Sequence, residues 1–236
     1  MSRLNLTLFG TPRIEIDGQA VHIARRKATA LLAYLAVTRQ RHSRDALATL
    51  LWPEKGQSSA RAELRRGLYF INKALGDHWL AADMETIGMN PELNTSSGAA
   101  LWLDVIEFQQ QLKACEKHKH SATETCSDCL PYLETAVDLY TDHFMAGFSL
   151  PDCPAYDEWQ FFQAEELRGQ LASAQLRLSS FYSSASMQDF ETAIRYARRW
   201  LALDPLHEPA HQHLMALYVS AGQKAAALRQ YEVCRQ

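Results

Sequence analysis

Residues 58–75 read SSARAELRRGLYFINKAL, and this stretch predicts a helix with two chemically different faces. Apolar residues recur every three or four positions, which at 100° per residue places them on one side of a helix. They are Ala60, Leu64, Leu68, Ile71 and Leu75. A serine, Ser58 or Ser59, is expected to cap the start, and Gly76 is expected to end the helix.

The other side of this helix is basic and rich in hydrogen-bond donors. It carries Arg66, Tyr69 and Lys73, with Arg65 and Asn72 beside them and Arg61 near the helix start. In a major groove, arginine pairs with guanine, asparagine pairs with adenine and lysine meets phosphate. A charged helix face is more often simply solvated. The neighbouring segments therefore decide between the two interpretations.

The segments around this helix predict two more helices and a small sheet. Alternating residues indicate a strand over 4–9, and Asp17-Gly18 between two short runs indicates a hairpin. Apolar spacing predicts helices over about 25–38 and 43–51, the second capped by Ser43. Two short strands, 79–82 and 86–89, are expected after Gly76. This order is that of a winged helix with an added N-terminal sheet.

The net charge changes sign where the helix over residues 58–75 ends. Residues 1–75 hold 13 of the 24 Lys and Arg but 5 of the 27 Asp and Glu, which gives a net charge of +8. Residues 76–236 hold the remaining 11 and 22, a net charge of −11. A basic front end suits a polyanion, whereas an acidic remainder is repelled by DNA and is expected to meet protein.

The back of the chain is predicted to be helical and repetitive. Turn-forming residues place a linker within 90–103, and helices are expected from 104, over 132–144 and over 156–183. Ala193 and Ala227 are 34 residues apart, and Ile194-Arg195 matches Leu228-Arg229 at the same offset. A 34-residue period is typical of paired helices in tetratricopeptide repeats.

We therefore predict a mainly α fold with a small β component. The expected architecture is a winged helix-turn-helix domain followed by an α-helical tetratricopeptide-like domain. The boundary is placed between residues 95 and 96, so that the domains cover 1–95 and 96–236.

Cysteine and histidine cluster in one polar segment. Cys126 and Cys129 have metal-ligand spacing, and Cys115 and His118 could complete a tetrahedral zinc site, with His120 also nearby. Incidental thiols in a mobile loop are the alternative. Zinc is left open, and no cofactor or metal is assigned.

Catalytic motifs are not found in the sequence. Glycine-rich phosphate loops and nucleophile motifs are missing, and His207-Glu208-Pro209-Ala210-His211 departs from the zinc-hydrolase pattern. Its glutamate and proline suit the first turn of a helix. We expect a protein that is not an enzyme. With no apolar run of 18 residues and no signal peptide, it is expected in the cytoplasm, without a membrane partner.

Ordered motifs along nearly the whole chain resemble one family, the Streptomyces antibiotic regulatory proteins. Its OmpR-type DNA-binding domain is similar to the front half, and the bacterial transcriptional activator domain is similar to the back half. The motifs that carry this resemblance are Phe9-Gly10-Thr11-Pro12, Leu31-Leu32-Ala33-Tyr34-Leu35, Leu50-Leu51-Trp52-Pro53, Leu64-Arg65-Arg66, Asp204-Pro205-Leu206-His207-Glu208-Pro209 and Gly222-Gln223-Lys224-Ala225-Ala226-Ala227-Leu228-Arg229-Gln230-Tyr231. Two positions depart from the family pattern: Ile71-Asn72 stands where a second Leu-Arg pair is common, and the wing tip is acidic.

The resemblance implies a transcriptional activator that binds double-stranded promoter DNA and contacts RNA polymerase, with a homodimer as a further possibility. It implies that the loop 53–57 faces polymerase. The expected DNA-binding residues are Arg61, Arg65, Arg66, Tyr69, Asn72 and Lys73. The alternative is a protein-interaction scaffold that forms the front part of a larger signalling ATPase and does not bind DNA.

Overall fold

The computed structural model describes residues 2–94, 99–118 and 124–235. It is mainly helical with a small β component, and it combines a winged helix-turn-helix with a helical repeat, which confirms the predicted fold class. Two compact units divide the chain. The first comprises Met1–Glu107 and Thr141–Ala164, and the second comprises Phe108–Tyr140 and Glu165–Gln236. The boundary at residue 95 stays a prediction, and residues 95–98 lie outside the described residues.

A four-stranded sheet opens the first unit. Its strands are β1 (Arg3–Thr7), β2 (Arg13–Ile16), β3 (Gln19–Ala20) and β7 (Ala100–Leu103). They lie in the order β3-β2-β1-β7, with β7 parallel to β1 and the other pairs antiparallel. Asp17 and Gly18 both have positive φ, 51° and 80°, as the predicted hairpin requires.

The segment 90–103, within which a linker is predicted, ends in a strand that was not predicted. Leu101 pairs with Leu4 and Leu103 pairs with Leu6 across the parallel strands, so this segment is part of the sheet. Turn-forming residues dominate the start of the segment, and the four residues of the strand that follows are all apolar, so no alternation identifies it. Ser96 to Gly98, part of the same prediction, lie outside the described residues.

Three helices and a second sheet complete the winged helix-turn-helix. The helices are α1 (Arg26–Thr38), α2 (Arg44–Leu51) and α3 (Gln57–Leu75). The second sheet is antiparallel, in the order β4 (His42–Ser43), β6 (Thr86–Met89) and β5 (Leu80–Ala82). Strands β5 and β6 form the wing, and β4 joins the wing to the start of α2.

Helix boundaries follow the capping chemistry, with one correction. The Ser43 hydroxyl accepts the N–H of Ala46 at 3.1 Å and caps α2 as predicted. The serine cap predicted for α3 is wrong. Gly56 is the N-cap, with φ −61° and ψ 152°, so α3 begins at Gln57, before either serine. Its far end is as predicted, since the N–H of Gly76 bonds Asn72 O at 2.8 Å.

A segment far along the chain completes the first unit. The backbone of Phe144 pairs with that of Phe9, and the N–H of Gly10 donates to His143 O at 2.9 Å. The ring of Trp159 meets that of Tyr34 edge-on at 4.8 Å between centroids. Residues 141–164 therefore supply core to the winged unit, although they lie 50 residues or more beyond its wing in the chain.

The second unit is helical. After α4 (Asp104–Cys115) come a 3-10 turn (Ser127–Cys129) and the helices α5 (Leu130–Leu139), α6 (Pro154–Tyr182), α7 (Phe190–Leu203), α8 (Glu208–Ser220) and α9 (Lys224–Arg235). Helices α4 and α6 each begin in the first unit and end in the second. The core of α7, α8 and α9 includes both Ala193 and Ala227, the residues that indicated the 34-residue repeat.

The histidine pair at the start of α8 has structural contacts. His207 is the N-cap, and its Nδ1 accepts the N–H of Ala210 at 3.3 Å. His211 is buried and donates from Nε2 to Pro205 O at 2.8 Å. The prediction of a helix-start turn is confirmed.

Across residues 2–94, 99–118 and 124–235, no helix combines the length and hydropathy that crossing a bilayer requires.

Candidate nucleic-acid interface

Helix α3 buries one face and exposes the opposite one. All five residues of the predicted apolar stripe are at most 9% exposed. The exposed face carries Arg65, Arg66, Tyr69 and Lys73, and the Tyr69 side chain is 60% exposed. The amphipathic pattern therefore fixes which side chains reach solvent, and four of the six predicted DNA-binding residues lie together there.

Close packing orients this face. Gly67 lies on the buried side of α3, where an added Cβ would stand 3.5 Å from the ring of Trp52 and 3.9 Å from Leu31. Trp52 ends α2 and Leu31 belongs to α1, so three helices meet around Gly67. At the end of α3, the buried indole N–H of Trp79 donates to Leu75 O at 2.9 Å.

Asn72 is only half exposed. Its Oδ1 is buried and has no hydrogen-bond partner within the part of the chain that the structure describes. One end of its amide is therefore turned away from the solvent-facing surface that Tyr69 and Lys73 occupy.

Arg61, the first predicted contact on α3, is held by Asp45 of α2. One edge of the guanidinium faces the carboxylate: Nε donates to Oδ1 and Nη2 donates to Oδ2 at 2.6 Å, and this bidentate pair lowers the pKa of Asp45. The pair ties α2 to α3 at the surface. A contact between Arg61 and DNA requires this arginine to share or leave its carboxylate.

Glu63 forms ion pairs with two further basic side chains. Its carboxylate lies 2.8 Å from Lys55 Nζ and 3.1 Å from Arg66 Nη1, and the hydrogen bond from Lys55 lowers its pKa. Among the described residues, neither Arg65 nor Lys73 forms an ion pair. No carboxylate of the described residues pairs with these two side chains, so both can meet an external anion.

The acidic wing tip is compensated internally. Asp83 accepts the N–H groups of Thr86 and Glu85, which with an ion pair to Arg41 at 2.7 Å lower its pKa to about 2. Arg44 donates to the backbone carbonyl of Asp83 at 2.7 Å. The two arginines offset the negative charge of the wing.

Arg41 and Arg44 were not predicted from the sequence as part of this surface. They flank β4, a two-residue strand without a readable pattern. Their place beside the wing follows from the pairing of His42 with Ile87 and of Ser43 with Thr86. In the sequence, only the positive charge of these two arginines indicates that they belong to a basic surface.

The basic residues before and at the start of α1 lie on aromatic rings. Arg25 lies 5.2 Å from the ring centroid of Phe70, and Arg26 lies 4.9 Å from that of Phe148. Lys27 lies 5.7 Å from the ring of Trp52. These contacts fix the cation stems against the protein, and the helix has no acidic residue in its first turn. Lys27 also lies 3.8 Å from Glu54 Oε1, so a carboxylate offsets part of this positive charge.

In the second unit, the structure brings together three of the four proposed zinc ligands. Nδ1 of His118 lies 3.2 Å from the sulfur of Cys126 and 3.0 Å from that of Cys129, and the two sulfurs are 3.5 Å apart. Cys115 lies next to them, with its Sγ 3.8 Å from the carbonyl oxygen of Cys129. His120 lies outside the described residues.

Comparisons with known proteins agree with this architecture. The bacterial transcriptional activator domain matches residues 103–236. Among solved structures, that of Mycobacterium tuberculosis EmbR in complex with a low-affinity phosphopeptide superposes with a TM-score of 0.70 at 19% identity. The match covers 98% of this chain and 59% of the EmbR chain, and at this identity it shows a shared fold. A search of curated proteins finds no match.

Proposed function

Because the chain belongs to the bacterial transcriptional activator domain family, we propose that it activates transcription by binding promoter DNA through α3. The family assignment rests on residues 103–236 and concerns the helical part. The OmpR-type character of the front domain, and with it sequence-specific DNA binding, is the proposal. The exposed basic face of α3 is the observation that carries it.

The chemistry of that face suits a major groove. Arg65 and Lys73 have no internal ion pair among the described residues, and Tyr69 stands exposed between them along the helix. We assign Arg65 and Arg66 to guanine edges, Lys73 to phosphate, and Tyr69 and Asn72 to hydrogen bonds at the groove. Arg61 is assigned to phosphate near the helix start, with Asp45 as its resting partner.

Charge beyond α3 supports the same surface. The net charge of +8 over residues 1–75 favours association with a polyanion. Because Arg41 and Arg44 offset Asp83, the wing presents less negative charge to a duplex than its Asp83-Met84-Glu85 tip suggests.

The test begins with selection of binding sites from a random double-stranded library by the purified chain. Affinity for the selected site is then measured across a range of salt concentrations. We expect Arg65→Ala and Arg66→Ala each to weaken specific binding by about 1–3 kcal/mol. Lys73→Ala is expected to reduce the salt slope by about 1 while keeping the sequence preference.

Matched controls come from the second unit. Arg229→Ala and Lys224→Ala remove the same charges from exposed positions on α9 and are expected to leave binding unchanged. If no sequence is enriched at low salt, or if the α9 variants weaken binding as much as the α3 variants do, the DNA-binding proposal is wrong. The first of these results would favour a protein-interaction scaffold.

We also propose that RNA polymerase is a partner, that the chain binds DNA as a homodimer and that it acts in the cytoplasm, where promoters are. The segment 53–57 between α2 and α3 is exposed and suits a polymerase contact. Exposed apolar residues on α9, such as Leu228 and Val233, offer surface for a protein partner. Transcription with purified polymerase at the selected site tests the first statement, and sedimentation of the protein–DNA complex tests the second. No activation, or a complex with one chain per site, would contradict them.

A further inference from the structure

The His118, Cys126 and Cys129 cluster lies in the second unit, apart from the proposed DNA-binding residues in sequence and in function. We propose that this cluster, with Cys115, is a structural zinc site. Its ligand set is three thiolates and one imidazole, a combination that is typical of structural Zn²⁺. The inference does not depend on DNA binding.

The spacing of the donor atoms fits one tetrahedral ion. Ligands at ordinary Zn–S and Zn–N lengths stand about 3.6–3.8 Å from one another. The cluster has 3.5 Å between the two sulfurs and 3.0 and 3.2 Å from the imidazole nitrogen to each sulfur. The donor atoms are therefore already gathered around one point, and an ion requires them to move apart by a few tenths of an ångström.

Local structure explains how the ligands meet. The N–H of His118 donates to Cys115 O at 3.2 Å, just where α4 ends, so the two residues are separated by a single tight turn. The N–H of Cys129 donates to Cys126 O at 3.0 Å in the 3-10 turn before α5. Each turn holds two ligands, in the Cys-x-x-His and Cys-x-x-Cys spacings that metal sites use.

Cys115 is the fourth ligand. It is 2% exposed, and its Sγ lies 3.8 Å from the backbone carbonyl of Cys129. A thiol is a weak hydrogen-bond donor, so this contact is easily given up when a metal–sulfur bond forms. Coordination requires the Cys115 sulfur to move closer to the three donor atoms that already lie within 4.8 Å of one another.

A second set of contacts steadies the site. Arg177 of α6 donates from Nη2 to Glu124 O at 3.3 Å and from Nε to Thr125 Oγ1 at 3.4 Å. It therefore holds the segment that leads into Cys126. Three thiolates outweigh one Zn²⁺ by a single negative charge, and a nearby guanidinium favours that charge.

Metal binding would link the end of α4 to the start of α5. The thiol protons leave to solvent as the zinc–sulfur bonds form, so binding is stronger at higher pH. The ion then fixes the last turn of α4 against the first turn of α5, and its binding energy adds to the stability of the second unit.

The test uses the purified full chain, prepared under reducing conditions. Metal analysis is expected to find about one zinc ion per chain. After a chelator has removed the metal, Co²⁺ is expected to give a thiolate-to-metal charge-transfer band and tetrahedral ligand-field bands, which added Zn²⁺ abolishes. Chelation is also expected to lower the unfolding temperature.

Cys126→Ser is the informative variant because Cys126 is only half-buried, and the folded state of the variant is checked by circular dichroism. It is expected to bind zinc at least about 10-fold more weakly. Cys234→Ser on α9, equally half-buried, is the matched control and should bind as the unchanged chain does. Three results would overturn the proposal: no thiolate–cobalt band, equal affinity in the Cys126 variant, or a Cys126–Cys129 disulfide in the chain as isolated with no metal uptake after reduction.

Discussion

At the scale of the residue, Asp104 is the most unusual carboxylate of the described chain. It is 2% exposed, and one oxygen accepts the N–H groups of Leu8 and Phe9, each at 2.7 Å. The other oxygen accepts the N–H of Val105 at 2.8 Å. Burial raises the pKa of Asp104 to about 6, although the three N–H donors lower it. One side chain therefore satisfies the backbone where β1 ends and α4 begins.

Asp104 is expected to make stability fall as pH rises. Because its pKa is higher in the folded than in the unfolded chain, its contribution is complete below about pH 4 and is lost as pH rises through about 6. The loss is at most about 3 kcal/mol in the free energy of unfolding. Urea denaturation at several pH values, compared between the unchanged chain and Asp104→Asn, measures it.

Two results bear on this expectation. The gap in stability between the unchanged chain and the Asn variant should change between pH 4 and pH 7, whereas exposed Asp138→Asn should give no such change. A gap that stays constant with pH would show that Asp104 does not titrate in this range. Asp104→Ala, which leaves the Leu8 and Phe9 N–H groups without their acceptor, is expected to lose about 2–4 kcal/mol at pH 4, where the contribution of Asp104 is complete.

At the scale of the element, two glycines respond oppositely to an added methyl group. At Gly67 in α3, a Cβ meets its nearest side-chain atom at 3.5 Å, an ordinary contact. At Gly88 in β6, a Cβ would stand 3.1 Å from the backbone oxygen of Gln40 and 3.1 Å from Arg41 Cγ. The first site has room, and the second has backbone that must shift.

Alanine is therefore expected to stabilise α3 and to destabilise the wing. Gly67→Ala should raise the free energy of unfolding by about 0.5–1 kcal/mol, because glycine is a poor helix former. Gly88→Ala should lower it by about 1–3 kcal/mol through overpacking. Thermal and urea unfolding of the two variants side by side provide the measurement. A loss of stability at Gly67 would mean that the approach of Trp52 to α3 is tighter than the structure has it.

The helices were readable from sequence because their apolar periods are long and regular. Helix α3 shows this best, since its five-residue stripe and its terminal glycine identify it without a partner. The strands β4 and β7 were not readable. Two residues cannot show a period, and β7 pairs with a strand about 95 residues earlier in the chain. The exposed face of α3 was likewise predictable, whereas the pairing of Arg61 with Asp45 depends on the angle at which two helices meet.

At the scale of the whole molecule, the first unit contains residues that no local pattern assigns to it. Phe144 is 2% exposed and meets Trp159 edge-on, with 5.9 Å between ring centroids. The thiol of Cys153 donates to Leu51 O at 3.1 Å. In the sequence these residues belong to the back half, because no local pattern links them to the winged segment.

The winged segment on its own is expected to fold poorly. A fragment of residues 1–95 lacks β7, Asp104 and the whole of 141–164. The backbone N–H groups of Leu8 and Phe9 therefore lose the carboxylate that accepts them. We expect it to unfold without cooperativity and to bind a hydrophobic dye, unlike the full chain. A fragment that unfolds cooperatively, with the midpoint of the full chain, would contradict this expectation.

Point variants in the full chain provide the companion measurement. Phe144→Ala should lower the free energy of unfolding by about 3–5 kcal/mol, the usual cost of deleting a buried aromatic ring. Phe161→Ala, in the same segment but 59% exposed, should change it little.

The interleaving of the first unit also limits how such regulators can be recombined. A chimaera made by a single crossover after the wing would join the α3 helix of one protein to the 141–164 segment of another. Its β1 edge and its aromatic core would then be completed by foreign residues that never packed against them. Exchange of the exposed α3 surface between relatives therefore needs two grafts, the winged segment and the stretch 141–164 that finishes its core, or substitutions confined to the solvent-facing positions of α3.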